Sequence, residues 1–261
     1  MPDVPSPFKL NTCIHRVLLV AAMILSAPLA GAGEVRVAIA ANFTDTARAL
    51  ISAFEQTTHH LVSASYGSTG KLYAQIEHGA PFDVFMAADI RRPQLLEENG
   101  RGVAGTRSTY AQGKLVLWSP RTEQFSDPVR WLSSADFRKL AIANPKTAPY
   151  GAAAEQVLTN LDLWNPIQPR LVRGDSIAQT FQFVATHNAD AGFVALSQVK
   201  AWDRGAGSSW PVPQQYYSPI QQQVVLLTRG EKNDAARAWL QFLSEQEAKT
   251  IIQRFGYDTP L

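Results

Sequence analysis

Apolar positions alternate with a period of two over residues 34–40 (EVRVAIA), where Val35, Val37 and Ile39 share a face, so this segment is expected to be a strand. From Thr44 the spacing changes. Ala47, Leu50, Ile51 and Phe54 fall at i, i+3, i+4 and i+7, one face of a helix. Residues 61–66 predict a second strand, 71–78 a short helix carrying Leu72, Tyr73 and Ile76, and 82–87 (FDVFMA) a buried strand. A short helix over 93–99 follows, with Gly100 placed for a left-handed stop. Further strands are expected at 113–119 (GKLVLWS), 140–143, 171–172, 192–196 (GFVAL) and 224–228, with helices at 151–161 and 177–186 between them. Residues 203–219 are rich in Gly, Ser and Pro without a period and read as loop. Helices at 235–243 and 245–255 close the chain, the second opened by Ser244 and Glu247 in a capping-box pattern. Strand and helix alternate, which implies an α/β fold whose sheets are largely parallel and covered by helices on both faces.

The first thirty residues follow another logic. Lys9, His15 and Arg16 precede an apolar run from Val17 to Leu25, and Ala30-Gly31-Ala32 supplies a small-residue exit. Positive start, apolar middle and A-x-A exit together predict a cleavable secretory signal peptide over 1–32. The apolar core is short for a membrane span of about 20 residues, so an uncleaved anchor is the weaker reading. The working protein is then expected outside the cytoplasm.

Composition narrows the chemistry. Lys and Arg number 24 against 22 Asp and Glu, a net charge of +2, which excludes a protein organised around a basic nucleic-acid footprint. Losing residues 1–32 removes Lys9, Arg16 and Asp3 and lowers that charge by one more unit. The single cysteine, Cys13, goes with them, so neither a disulfide framework nor a multi-cysteine zinc site is available.

Polar and small residues cluster at strand ends. Ala41-Asn42 follows the first strand and Gly67-Ser68-Thr69-Gly70 the second, each directly before a helix. Pro149-Tyr150-Gly151 and Gly174-Asp175-Ser176-Ile177 open two more helices. Helix N-termini present unpaired N–H groups and partial positive charge, so several converging ones make an anion site beyond the carboxyl ends of the strands. Each loop also has a plain explanation, because Asn, Ser, Thr and Asp are ordinary N-caps that stabilise a helix by about 1 kcal/mol. Four such loops in a secreted α/β chain favour a small-anion receptor.

The residues of these loops carry a resemblance. AIAANFTDTARAL (38–50), YGSTGKLYAQIEHGAPFDVFMAAD (66–89), ANPKTAPYGAAAEQVL (143–158), GDSIAQT (174–180), ADAGFVAL (189–196) and FGY (255–257) are similar, in order, to the periplasmic molybdate-binding proteins of ABC importers. The resemblance implies a two-lobed type II periplasmic binding protein fold, with residues 33–112 and 220–261 in one lobe and 113–219 in the other. It implies that Asn42, Thr69, Tyr150 and Ile177 bind the oxyanion, with Asn42 supplying an amide N–H, Tyr150 and Ile177 backbone N–H groups, and Ala41 and Ser68 as further candidates. One branch of the family uses a tyrosine hydroxyl where this chain has Ala195. No cofactor is expected, and the only metal is the molybdenum or tungsten of the ligand, held by those same residues. The expected partners are that oxyanion and a membrane permease, with no nucleic acid, and the protein acting as a monomer. Asp175 is expected to cap its helix or point away from the ligand.

The main rival is enzymatic. Ser68-Thr69-Gly70-Lys71 matches the S-x-x-K nucleophile motif of β-lactamases and penicillin-binding proteins, but no S-D-N accompanies it and Lys146-Thr147 is followed by Ala148 rather than Gly. A phosphate-binding P-loop fails on spacing. Asn42-Phe43-Thr44 matches the glycosylation sequon at the proposed site and is read as coincidence. Receptors of the same fold for sulfate, a sugar or an amino acid are the remaining alternatives. Trp118, Trp131 and Trp239 are assigned to packing rather than to a sugar platform.

Overall fold

The computed structural model describes residues 32–260. The expected signal peptide lies outside the described residues. The first strand, β1 (Glu34–Ala40), sends Val35, Val37 and Ile39 to one face of its sheet and Ala38 to the other. The first face is covered by Phe43, by Ala47, Leu50 and Phe54 of α1 (Thr44–Thr58), and by Trp239 of the later helix α9 (Asp234–Ser244). The opposite face is covered by Leu72 and Ile76 of α2 (Thr69–Glu77) and Leu96 of α3 (Arg91–Glu98). Gly100 stands just beyond α3 at φ +76°, the left-handed stop read from the sequence.

The sheet runs β2 (Leu61–Gly67), β1, β3 (Val84–Met86), β10 (Ile220–Leu226), β4 (Ser108–Gly113). The second sheet runs β7 (Leu171–Gly174), β6 (Leu140–Ala143), β8 (Ala191–Ala195), β5 (Leu115–Ser119), β9 (Ser208–Pro211). Its faces are covered by α5 (Pro149–Asn160) on one side and by α7 (Ile177–Ala185) on the other. The two sheets define two lobes, joined where β4 passes directly into β5 and where the chain returns from β9 to β10.

Parallel pairing is confined to three strands of each sheet. In the first, β1 pairs parallel with β2 and β3, and β10 runs antiparallel to β3 and β4. The second repeats this, with β6 parallel to β7 and β8, and β5 antiparallel to β8 and β9. Both sheets are therefore mixed, because the strands that carry the chain between lobes, β4, β5 and β10, enter by hairpin-like pairing rather than by helical crossover.

Among the differences from the sequence reading, besides short helices at Pro128–Ser134, Trp164–Ile167 and Leu196–Ala201 that it left out, are two strands and one helix cap. Strand β4 (STYAQG) has no apolar alternation and forms because β10 offers it a hydrogen-bond ladder. Strand β9 lies inside the segment read as loop and pairs with the edge of β5. The expected capping box does not form. Ser244 ends α9 and donates to the Gln241 carbonyl, while Glu245 occupies the N-cap of α10 (Gln246–Arg254) without a side-chain cap.

The carboxyl ends of β1, β2, β6 and β7 all face the space between the lobes, and the helix starts that follow them depend on close approach. A Cβ on Gly151 would lie 2.3 Å from the Ala143 carbonyl oxygen, so only glycine lets the first turn of α5 seat on the end of β6. Gly151→Ala is expected to lower stability by about 1–3 kcal/mol through overpacking. At about 2–4 °C per kcal/mol for a chain of this size, thermal unfolding would read a fall of several degrees. An unchanged melting temperature would contradict the seating.

Candidate functional site

Each of these loops leaves donors unspent. In α5 the first residue, Pro149, has no N–H, and the Gly151 N–H bonds the Ala148 carbonyl at 2.9 Å, so the N–H of Tyr150 remains. In α7 the N-cap Ser176 accepts from the Gln179 N–H at 3.3 Å, which leaves the N–H groups of Ile177 and Ala178. At α2 the N-cap is Ser68, whose side chain makes no cap bond. Its hydroxyl is buried and has no hydrogen-bond partner. Thr69 Oγ1 accepts from the Ala88 N–H at 3.1 Å and keeps its own hydrogen to donate.

These groups meet. Asn42, Thr69, Tyr150 and Ile177 line one small cavity, together with Ala40, Ala41, Ser68, Ala148 and Pro149, so all four expected residues and both further candidates are there. Ala195 is not among its walls. The cavity is small, with room for about one water molecule. No charged side chain lines it.

Asn42 presents a different group from the one expected. Its Nδ2 donates to Gln222 Oε1 at 2.9 Å and to the Tyr257 hydroxyl at 3.0 Å, which uses both amide hydrogens inside the protein. Its carbonyl accepts from Ser197 Oγ and from the Tyr257 hydroxyl, both at 2.8 Å. The side chain thus fixes the short turn Ala41–Phe43, and the backbone N–H is what this residue can offer the cavity.

Asp175 does not cap α7, and, as the second alternative had it, points away from the cavity. Its carboxylate pairs with Lys71 Nζ at 2.8 Å, across the cleft from one lobe to the other. Ser68 therefore lacks the lysine contact that an S-x-x-K nucleophile requires, and the motif is accounted for by an interlobe ion pair. Two further bonds cross nearby, from the Gly70 N–H to the Thr147 carbonyl at 2.8 Å and from Arg92 to the Lys146 carbonyl at 3.2 Å.

Comparison with known proteins gives the family. The pattern of the bacterial extracellular solute-binding proteins matches residues 35–258. The chain belongs to this family. It is 51% identical over 234 residues to the molybdate-binding protein ModA of Azotobacter vinelandii, covering 89% of this chain and 93% of that one. It is 47% identical over 230 residues to the ModA of Rhodobacter capsulatus, covering 88% and 90%. Among solved structures, the periplasmic molybdate-binding protein of A. vinelandii superposes with a TM-score of 0.83 at 39% identity, over 87% of this chain and all of that one. The fold is that of a type II periplasmic binding protein.

Sequence reading of this solute-binding protein missed the residues that brace the site from behind. Gln222 is fully buried, accepts from the Tyr110 hydroxyl at 3.1 Å as well as from Asn42, and donates to the Tyr150 hydroxyl at 3.3 Å. The signal available was a run of three glutamines entering an apolar strand. Gln198 donates to the Ile177 carbonyl at 3.1 Å and accepts from the Ala195 N–H at 3.0 Å, which holds the start of α7 in place. A larger open groove of about 410 Å³ lies beside the cavity, with Asp89, Arg91, Arg92 and Lys146 in its walls. Its mixed charges set it apart from the neutral cavity.

Burial raises the pKa of three tyrosines in this network, Tyr110 and Tyr150 well above the ordinary value and Tyr257 to about 12. All three stay protonated at physiological pH. In the unfolded chain tyrosine ionises near pH 10, so the unfolded state loses its protons first as the pH rises. Stability is then full below about pH 10 and falls between about 10 and 12, by roughly 2–3 kcal/mol from Tyr257 alone. Urea unfolding at pH 7, 9 and 11 measures this, and constant stability across the series would contradict the burial of these hydroxyls.

Proposed function

We propose that this chain is an extracytoplasmic receptor that captures molybdate or tungstate between its lobes and delivers it to the membrane permease of an ABC importer. The observation that carries the reading is the neutral cavity whose walls hold an unpaired Ser68 hydroxyl, a Thr69 hydroxyl with a free hydrogen, and helix-start N–H groups from both lobes. Molybdate at neutral pH is a fully deprotonated tetrahedral dianion, so each of its oxygens only accepts hydrogen bonds. A wall of donors with no carboxylate suits it. Phosphate still carries a proton, and a site for it gains from a carboxylate acceptor, which this cavity does not have in its walls. Sulfate has the same acceptor chemistry in a smaller shell, and an ill-fitting anion leaves buried donors unpaired at about 1–3 kcal/mol each. Relatives at 51% and 47% identity are named molybdate-binding proteins, which supports the same ligand here.

In this reading Asn42, Tyr150 and Ile177 bind through backbone N–H groups and Thr69 and Ser68 through their hydroxyls, with Ala41 at the edge. The lobes, 33–112 with 220–261 and 113–219, part about the β4–β5 and β9–β10 connections to admit the anion, then close through the Lys71–Asp175 and Gly70–Thr147 contacts. No covalent step is involved. Residues 1–32 direct the chain to the periplasm, where it acts as a monomer.

Calorimetric titration with molybdate, tungstate, sulfate and phosphate tests the ligand. Molybdate and tungstate are expected to bind one to one, and at a hundred times Kd to stabilise the protein by about 2.7 kcal/mol in thermal unfolding. Binding of sulfate or phosphate as tight as that of molybdate would contradict the reading. Ser68→Ala tests the site. Losing a hydrogen bond to a charged group costs about 1.5–3 kcal/mol, so affinity is expected to fall roughly ten- to a hundredfold. Ligand-free stability is expected to hold or rise, because the hydroxyl has no partner to lose. Unchanged affinity would misplace the site.

A further inference from the structure

We infer that Gln222 is a positioning residue for the oxyanion site, orienting Asn42 on one lobe while holding the Tyr150 hydroxyl on the other, so that one side chain bears on both cavity shape and lobe closure. This rests on the oxyanion reading above and extends it to a residue that does not line the cavity.

Gln222 sits on β10, the strand by which the chain returns from the second lobe to the first. The ladder between β10 and β4 shifts register between Gln222 and Gln223, where Tyr110 of β4 is the extra residue, and the Tyr110 hydroxyl is one of the groups that Gln222 bonds. Gln221 is exposed, whereas Gln222 is fully buried, and a buried amide is costly unless its donors and acceptor are used. They are used across the lobe boundary. Oε1 accepts from Asn42 at 2.9 Å and Tyr110 at 3.1 Å, both in the first lobe, and Nε2 donates at 3.3 Å to Tyr150 in the second.

The same point in space is kept clear for this meeting. A Cβ on Gly113, where the chain crosses between lobes, would lie 2.0 Å from the Tyr150 hydroxyl oxygen and 2.8 Å from Gln222 Nε2. The Tyr150 side chain reaches Gln222 while its backbone N–H lines the cavity, and Asn42 spends its amide on Gln222 and Tyr257 while its turn lines the other wall. Opening the lobes would separate Nε2 from the hydroxyl and leave both buried groups short of a partner. Closure restores the bond, which should slow release of the anion more than it speeds capture.

The test measures molybdate association and dissociation by stopped-flow fluorescence on the unsubstituted protein, Gln222→Leu, Tyr150→Phe and the double variant. Gln222→Leu is expected to raise the dissociation rate at least about tenfold with the association rate within about threefold. Tyr150→Phe, which removes one oxygen and keeps the backbone N–H, is expected to raise dissociation by a smaller factor. The double variant is expected to match Gln222→Leu, since both changes remove the same link. A merely structural role would lower the ligand-free melting temperature and leave these rates alone. Dissociation within twofold of the unsubstituted protein, or effects that multiply in the double variant, would overturn the inference. Should Gln222→Leu fail to fold, an unchanged dissociation rate in Tyr150→Phe would overturn it alone, and a faster one would support it. Absence of molybdate and tungstate binding by the unsubstituted protein would overturn the oxyanion reading and this inference with it. Normal binding with unchanged variant rates would overturn only the inference.

Discussion

A hydrogen-bond donor buried without an acceptor is costly, and the organisation of this protein follows from where it tolerates that cost. Among the described residues, three side-chain hydroxyls are buried with no partner, those of Thr46, Ser68 and Thr147, and three indole N–H groups in the cores, those of Trp118, Trp202 and Trp239. Two of the three hydroxyls stand at the cleft, Ser68 in the cavity wall and Thr147 beside the backbone bond that closes it. Nearby donors that are not needed for a ligand are paired with care. The Gly70 N–H goes to Thr147, that of Gln179 to Ser176, and both amide hydrogens of Asn42 to Gln222 and Tyr257. At the cavity itself the Ser68 hydroxyl and the helix-start N–H groups are left unpaired, an arrangement of neutral groups that suits a ligand able only to accept.

Charge plays the outer role rather than the inner one. The cavity walls carry no ionised side chain, and the tyrosines behind them are held neutral by burial. Cations lie on the rim, where Lys71 is matched by Asp175 and Arg92 by Asp89. The Lys71–Asp175 pair is solvent-exposed, so its contribution to stability is small, and its value lies in linking the lobes at the mouth. A dianion held by oriented dipoles in a dry site needs no compensating lysine inside. The near-neutral composition of the chain is consistent with that economy of charge.

Much of this was legible from the sequence. Strands such as β1 and β5, and helices such as α1, announce themselves because burial imposes a period of 2 or 3.6 on their apolar residues. The four loops could be found because helix starts require small or capping residues, and all of them reach the cavity. What sequence could not show is how each residue spends its hydrogen bonds. Asn42 reads as a donor to the ligand, yet a glutamine 180 positions away takes its amide. Ser68 and Ser176 look alike as N-caps, but only Ser176 caps. Lys71 reads as the base of a catalytic motif until Asp175, from the other lobe, is placed beside it. Strands β4 and β9 escape for a related reason, since their pairing partners rather than their own patterns make them strands. Long-range partnership is the common factor in each case.

The central claim is that the anion sits at the meeting point of the helix starts and not in the larger charged groove beside it. Anomalous diffraction from crystals grown with molybdate, recorded at the molybdenum absorption edge, tests it most directly. The account predicts one strong anomalous peak inside the cavity, within hydrogen-bonding distance, through the ligand oxygens, of Ser68 Oγ, Thr69 Oγ1 and the backbone N–H groups of Tyr150 and Ile177. A peak in the groove walled by Asp89, Arg91, Arg92 and Lys146, with none in the cavity, would contradict it.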